Sequence, residues 1–305
     1  MTTNRIASFF AAVATFFTLV ATSLTPAPAE AANPNANAPF FFPADLQCRK
    51  PLRPLFFQES TAKSKPPVLI VGGTMSAELI YIFLETRLLA DNYNVYFYEL
   101  HKGGMIDMNE NAKGLATCAD AVLKDAGASK LSLIGHSQGG VVARAFIRDQ
   151  PGKVDTMVSL AAPHLGTSPT NPLVGLLAAI ASLTPEGAQQ AQVLKSQMAP
   201  NSTFLNSINK NWPAKDPVHY VNIISTNDEW IVPYKNGLMP ESMCDEVDAH
   251  GQAIACNVTL QTECPNRILT DHVLLASDVA VYTGIKAGLE HQQVKAAIKP
   301  MCLAI

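Results

Sequence analysis

Short apolar runs alternate with segments of helical period along the chain from residue 68 onward. Runs rich in Val, Leu, Ile and aromatic residues are typical of strands buried on both faces of a sheet. They predict strands at Val68–Val71, Asn94–Leu100, Leu131–Ile134, Val154–Leu160, Tyr220–Ser225 and Asn257–Leu260. Segments of helical spacing separate the first four runs, and a last one spans Ala276–Glu290. This order predicts an α/β fold whose central sheet is mostly parallel and has helices on both faces.

The alternation is interrupted between Thr167 and Asp216, which is more chain than a single crossover helix needs. The stretch contains Leu173–Leu183, apolar nearly all round, and Glu186–Met198, polar on most of its surface. We therefore predict a helical cap over residues 167–216, inserted after the fourth predicted strand. Its apolar helix either packs inward as ordinary core or covers a cleft as a mobile lid.

The first 31 residues have the pattern of a secretory signal peptide. Arg5 precedes an apolar run from Ile6 to Leu24, and small residues allow cleavage after Ala29 or after Ala31. An uncleaved membrane anchor is the alternative, because the run is just long enough to span a bilayer. We expect cleavage and a secreted protein, extracellular or periplasmic, with no permanent membrane span. An extended N-terminal lead is predicted over residues 32–67, and the folded domain over residues 68–305.

The charge balance argues against one class of function. Lys and Arg number 22 against 25 Asp and Glu, which is a formal net charge of -3. A nucleic-acid-binding protein carries a surplus of basic residues that neutralise phosphates. We therefore expect no nucleic-acid partner, and the pattern leaves the oligomeric state open.

All six cysteines follow the predicted signal peptide, and an even number in an exported chain favours disulfides. A zinc site requires Cys and His at closer spacing than this chain provides. Cysteines predicted at the same end of the sheet are the candidates for pairing, which suggests Cys244 with Cys264 and Cys256 with Cys302 and leaves Cys48 with Cys118.

The segment Gly135-His136-Ser137-Gln138-Gly139 stands where a predicted strand meets a predicted helix. A G-x-S-x-G pattern in this context forms a sharp turn that exposes a nucleophilic serine at the helix N-terminus. Glycines are needed on both sides because a side chain there would collide with the neighbouring strand or helix. A chance match in a glycine-rich turn is the alternative. We predict Ser137 to be a nucleophile.

A serine hydroxyl needs a general base, and this base needs a carboxylate that orients it. Asp228 follows the fifth predicted strand, and His272 follows the last one. The order Ser137, Asp228, His272 is the one used with this type of nucleophile turn. Glu229 is the alternative acid, whereas Asp271 is expected to be solvated or to cap a helix.

The negative charge that develops on an attacked carbonyl requires two backbone N–H donors. The residue after the nucleophile, Gln138, supplies one. The loop after the first strand, Gly72-Gly73-Thr74, is expected to supply the other through Thr74, whose hydroxyl could add a third donor. The alternative is a plain tight turn before a helix capped by Ser76.

Several of these segments together resemble the class 2 bacterial secreted lipases of the α/β-hydrolase fold. The segments are Val71–Thr74, Gly135–Gly140, Ala162–Thr167, Asn227–Tyr234 and Asp271–Val273. The resemblance runs from about Val68 to Gly288 and implies the same triad, Ser137, Asp228 and His272. The usual His-Gly of the oxyanion loop is Gly72-Gly73 in this chain.

The resemblance implies a secreted α/β-hydrolase that cleaves carboxylic esters, in particular triacylglycerols, through an acyl-serine intermediate. No cofactor or metal is expected, and the expected partner is an ester or lipid substrate at a lipid–water interface. A polyester depolymerase or an acyltransferase would use the same triad, and a non-catalytic binding protein on the same fold is the alternative from another class. The acyl-chain length and the alcohol are left open.

Overall fold

The computed structural model describes residues 47–51, 65–76, 78–210, 218–240 and 256–304. Its sheet has seven strands: β1 (Cys48–Arg49), β2 (Val68–Val71), β3 (Val95–Tyr98), β4 (Leu131–His136), β5 (Val154–Leu160), β6 (His219–Ile224) and β7 (Asn257–Thr259). The α-helices of the described residues are α1 (Ile82–Ala90), α2 (Met108–Ala126), α3 (Gln138–Asp149), α4 (Pro172–Ala181), α5 (Pro185–Met198), α6 (Thr203–Asn209), α7 (Leu260–Glu263), α8 (Val279–Leu289) and α9 (Val294–Ile298).

The strands are ordered β1-β3-β2-β4-β5-β6-β7, and every neighbouring pair is parallel except β1 with β3. The predicted mostly parallel sheet is confirmed, and β2 and β5 have the predicted bounds. Strand β1 was not predicted, because two residues are too short to show a period. Cys48 of β1, which lies in the segment expected to be an extended lead, pairs with Tyr98 of β3.

Both faces of the sheet are covered, which is why strand β2 is apolar at every position. Leu69 and Val71 of β2 belong to one core cluster, together with residues of α2 and α3. Val68 and Ile70 belong to the other, together with residues of α1, α8 and α9. All four side chains have zero exposure, so successive side chains of the strand point alternately into two separate hydrophobic cores.

Three helices, α4, α5 and α6, lie between β5 and β6, in the stretch where the cap was predicted. Helix α6 escaped prediction because it is a short helix between polar segments. No residue of α4 is buried, although its sequence is apolar almost throughout. Most of its residues are half-buried, and Ala178 and Ala181 pack against the core, so both the core and the lid interpretation stay open.

The disulfide between Cys48 and Cys118 is the predicted one and links β1 to α2. The other two predicted pairs are wrong, because Cys264 is bonded to Cys302. The reason is α9, which was not predicted and turns the end of the chain back onto the segment after β7. Arg267 donates to the carbonyls of Met301 and Ala304 at 2.6 and 2.5 Å.

Several predictions fall outside the described residues. They concern the signal peptide over residues 1–31, most of the lead over residues 32–67, and Cys244. Cys256 lies within the described residues and is disulfide-bonded. In the five described ranges no helix has both the length and the apolar composition needed to cross a bilayer.

Candidate active site

Ser137 lies in the turn between β4 and α3 with φ 55° and ψ -129°. Positive φ is unfavourable for a residue with a side chain, so the surrounding packing must impose it. A Cβ on Gly135 would lie 2.6 Å from the Cα of Gly140, and one on Gly139 would lie 2.3 Å from the carbonyl oxygen of Val71. Both glycines are thus required by close backbone contacts, as the sequence predicts.

The Ser137 backbone is fixed, whereas its hydroxyl is free. Its N–H donates to the carbonyl of Leu160 on the neighbouring strand at 2.8 Å. The side chain is half-buried, and its hydroxyl makes no hydrogen bond to any residue that the structure describes. The serine is presented at the carboxyl edge of the sheet for a reaction partner.

The imidazole of His272 and the carboxylate of Asp228 are paired. Nδ1 of His272 lies 2.9 Å from each carboxylate oxygen of Asp228. Asp228 Oδ1 also accepts from the backbone N–H groups of Trp230 and Ile231, at 2.9 and 2.8 Å. Because an ionised carboxylate only accepts, Nδ1 carries the proton, and Nε2 presents a lone pair.

His136 connects the His272 loop to the nucleophile turn. Its Nε2 lies 2.9 Å from the carbonyl oxygen of His272, and the two rings are 5.0 Å apart between centroids. Since His136 directly precedes Ser137, the structure brings the loops of the predicted nucleophile, base and acid together at one edge of the sheet.

Glu229, the alternative acid, has a different environment. Its Oε2 lies 3.5 Å from the backbone nitrogen of His272 and makes no hydrogen bond to the imidazole. Burial, and then the charge of Asp271, raise the pKa of the Glu229 carboxyl. Asp271 itself accepts from the N–H groups of Val273 and Leu274 and so caps the short helix that follows.

The two residues predicted to supply the oxyanion donors, Thr74 and Gln138, contact each other through their side chains. The backbone N–H groups of Thr74 and Gln138 make no hydrogen bond to a described residue, although Gln138 has zero exposure. A buried N–H is costly unless a ligand satisfies it. The Thr74 hydroxyl, in contrast, donates to Gln138 Oε1 at 2.6 Å, and Gln138 Nε2 donates to the carbonyl of Gly104 at 2.8 Å. The expected third donor is therefore engaged elsewhere.

Sequence reasoning missed the polar residues that hold these loops. Gln261 of α7 donates to Ser225 Oγ at 2.9 Å and to the carbonyl of Arg267 at 3.0 Å, which joins the acid loop to the histidine loop. Tyr81 and His136 join the histidine loop to the Gly72–Thr74 loop. A lone Gln or Tyr carries no local pattern that reveals such a role.

Exposed apolar side chains lie in segments that adjoin the candidate site in sequence. They belong to the segment after β2 and to the segments on either side of His272: Leu79, Phe83, Ile268, Leu269, Val273 and Leu274. Among the described residues no cluster of three His, Cys, Asp or Glu side chains is suited to hold a metal ion. The segments next to His272 thus offer exposed apolar contacts.

The family model described as palmitoyl protein thioesterase matches residues 88–236. Triacylglycerol lipases of Pseudarthrobacter phenanthrenivorans and Burkholderia plantarii are each 28% identical over 117 residues, which is 36% of this chain. That match covers 36% and 32% of their lengths, so it spans about a third of these curated relatives.

Two solved structures have the same fold. Lipase B of Aspergillus fumigatus has a TM-score of 0.60 at 17% identity, and the match covers 90% of this chain and 67% of the lipase. A structure from a study of carboxylesterases of the thaumarchaeon Nitrososphaera gargenis has a TM-score of 0.51 at 15% identity, over 83% of this chain and 98% of the other. The sheet order and these similarities establish the α/β-hydrolase fold.

Proposed function

We infer, from the premise that this chain has the α/β-hydrolase fold and is similar to lipases and a thioesterase family model, that it is a carboxylic ester hydrolase with Ser137, Asp228 and His272 as its triad. One observation carries the proposal: the imidazole paired with Asp228 is joined through His136 to the strained turn that exposes Ser137. An ordinary turn would connect the strand and the helix without the strained backbone at Ser137, so the strain is best explained by a catalytic role.

The proposed reaction has two halves. Ser137 Oγ attacks the ester carbonyl while His272 Nε2 takes its proton, and the resulting oxyanion accepts from the N–H groups of Thr74 and Gln138. His272 then protonates the leaving alcohol. In the second half His272 takes a proton from water, whose oxygen attacks the acyl carbon, and returns that proton to Ser137 as the acid leaves. Asp228 keeps the proton of the resting imidazole on Nδ1.

Replacement of Ser137 tests the proposal. We expect Ser137→Ala to lower kcat by a factor on the order of 10³ or more without a change in the thermal midpoint. A fluorophosphonate should label the wild-type protein once and leave Ser137→Ala unlabelled. Ser196→Ala, on the exposed face of α5, is the matched control and should behave as wild type. Ester hydrolysis retained by purified Ser137→Ala would refute the whole proposal.

Triacylglycerols are the substrates that we propose first. The support is the similarity to the two triacylglycerol lipases and the apolar side chains exposed around His272. A secreted protein is supported by the disulfides, which persist in oxidising compartments. Hydrolysis of an emulsified long-chain triacylglycerol by the purified protein, compared with hydrolysis of a soluble short-chain ester, tests the substrate assignment.

Thioester cleavage is a second candidate, favoured by the match to the palmitoyl protein thioesterase model. The same acyl-serine intermediate serves both reactions, since only the leaving group differs. A palmitoyl thioester and a palmitoyl ester of matched size distinguish the two. A higher kcat/KM for the thioester would move the assignment to this candidate.

A further inference from the structure

The phenol of Tyr81 lies at the meeting point of the loops that form the candidate site. Tyr81 ends a short helix over Glu78–Tyr81 that follows the oxyanion loop, and its side chain has zero exposure. Its oxygen accepts from the backbone N–H of Gly73 at 2.9 Å. It also lies 3.0 Å from Ser76 Oγ and 2.9 Å from His136 Nδ1.

The hydrogen-bond partners settle where the protons are. The carbonyl of His272 can only accept, so the nitrogen that faces it, His136 Nε2, carries a proton. Burial lowers the pKa of His136 to about 3, which makes the ring neutral and leaves Nδ1 as an acceptor. Tyr81 therefore donates its single hydroxyl proton to Nδ1 rather than to Ser76 Oγ, and the Ser76 hydroxyl donates to the carbonyl of Gly73 at 2.8 Å.

These assignments give one directed chain of hydrogen bonds. It runs from the N–H of Gly73, next to the oxyanion donor Thr74, through Tyr81 and His136 to the carbonyl of His272. The members are buried, so no water competes for the bonds, and each group has its partner. The chain connects the loop that stabilises the oxyanion with the residue that moves the proton.

We propose that Tyr81 is a positioning residue that, through His136, holds the oxyanion loop and the His272 loop at a fixed separation from Ser137. This role rests on the proposed function. Tyr81 touches no reacting atom in it. It keeps the oxyanion donors and the base in the geometry of the transition state, where small displacements are costly: about 1 Å costs on the order of 10²-fold in rate.

Tyr81→Phe removes only the hydroxyl. We expect kcat per titrated active site to fall about 10- to 100-fold, with KM within about twofold of wild type. The affinity for a trifluoromethyl ketone, which forms an oxyanion on Ser137, should fall by the same factor as kcat/KM. Tyr96→Phe is the matched control, because it removes an equally buried phenol hydroxyl that is bonded to Asp125 at 2.6 Å. It should leave kcat unchanged.

A double-mutant cycle with His136→Phe tests whether the two residues act as one chain. The loss in Tyr81→Phe/His136→Phe should then be close to the larger single loss and well below the product of the two. Unchanged kcat per site in Tyr81→Phe, equal losses in the Tyr96→Phe control, or fully multiplicative losses would overturn the proposal. Failure of the proposed function would give a different result, because the wild-type protein would then not react with a fluorophosphonate.

Discussion

At the scale of single residues, two adjacent carboxylates have distinct environments. Asp228 contacts the imidazole Nδ1 with both oxygens, whereas Glu229 approaches only the backbone nitrogen of His272. A carboxylate fixes the tautomer of an imidazole only if it accepts the ring proton. The acid of the proposed triad is therefore Asp228.

The corresponding prediction compares two isosteric changes. Asp228→Asn should lower kcat by a factor on the order of 10⁴, since the amide can hold the imidazole in the wrong tautomer. Glu229→Gln should cost less than about tenfold, because its contact with the His272 backbone is long. Steady-state kinetics of the two variants, normalised to titrated sites, would contradict the assignment if the ranking were reversed.

At the scale of elements, helix α4 contains no fully buried residue and contacts the core through the half-buried Ala178 and Ala181. It packs against α5, and its first residue is preceded by Asn171, whose Oδ1 caps the helix and whose Nδ2 donates to the carbonyls of Glu229 and Trp230 at 3.0 and 2.9 Å. The start of α4 is thus bonded to the loop that carries Asp228. An apolar helix without buried residues, attached beside the candidate site, is a candidate lid.

The lid interpretation predicts a substrate-dependent effect. Leu176→Asp, on α4, should depress hydrolysis of emulsified long-chain triacylglycerol about tenfold and hydrolysis of a soluble short-chain ester far less. Its thermal midpoint should stay within about 2 °C of wild type, since Leu176 is only half-buried. Leu194→Asp, at a buried position of α5, is the control and should lower stability and both activities together. Equal losses on both substrates with a lowered midpoint in Leu176→Asp would contradict the lid.

At the scale of the whole molecule, buried titratable groups make stability depend on pH. Burial lowers the pKa of His136 from 6.5 to about 3 and that of His164 well below 6.5. The folded state then binds fewer protons than the unfolded state, so stability is lost as pH falls below 6.5. Burial, and then the charge of Glu78, raise the pKa of Glu85 from 4.5 to about 8. The folded state binds more protons there, so stability is lost as pH rises from 4.5 to 8.

These opposed effects predict a stability maximum near pH 6.5, with a slope of at most about 1.4 kcal/mol per pH unit for each proton. Glu85→Gln should flatten the decline between pH 6.5 and 8. Because the Glu85 contribution also opposes those of the histidines between pH 4.5 and 6.5, the same variant should lose stability more steeply from pH 6.5 to 5. Urea unfolding at pH 5, 6.5 and 8 measures this. The control is Glu110→Gln on the exposed face of α2. An unaltered decline in Glu85→Gln would refute the assignment.

The sheet and the positions of its loops follow from local sequence. The apolar runs at Val68–Val71 and Val154–Leu160 are strands at those bounds because both of their faces must be buried. The turn around Ser137 was recognisable because a Cβ at its glycine positions would collide with the neighbouring backbone, so any sequence that forms this turn needs glycine there. The expected α/β-hydrolase fold rests on such signals, and the similarity to solved structures confirms that fold.

Tertiary structure alone decided how the loops meet. The pairing of Cys264 with Cys302 depends on α9 turning the end of the chain back, and the engagement of the Thr74 hydroxyl depends on Gln138, far away in sequence. The degree of burial of α4 and the hydrogen bonds of Tyr81 are likewise set by contacts between segments that are distant in sequence. A local pattern records the burial and the backbone shape of its own segment. It does not record which distant side chain satisfies a buried polar group, because that depends on the packing of the whole fold.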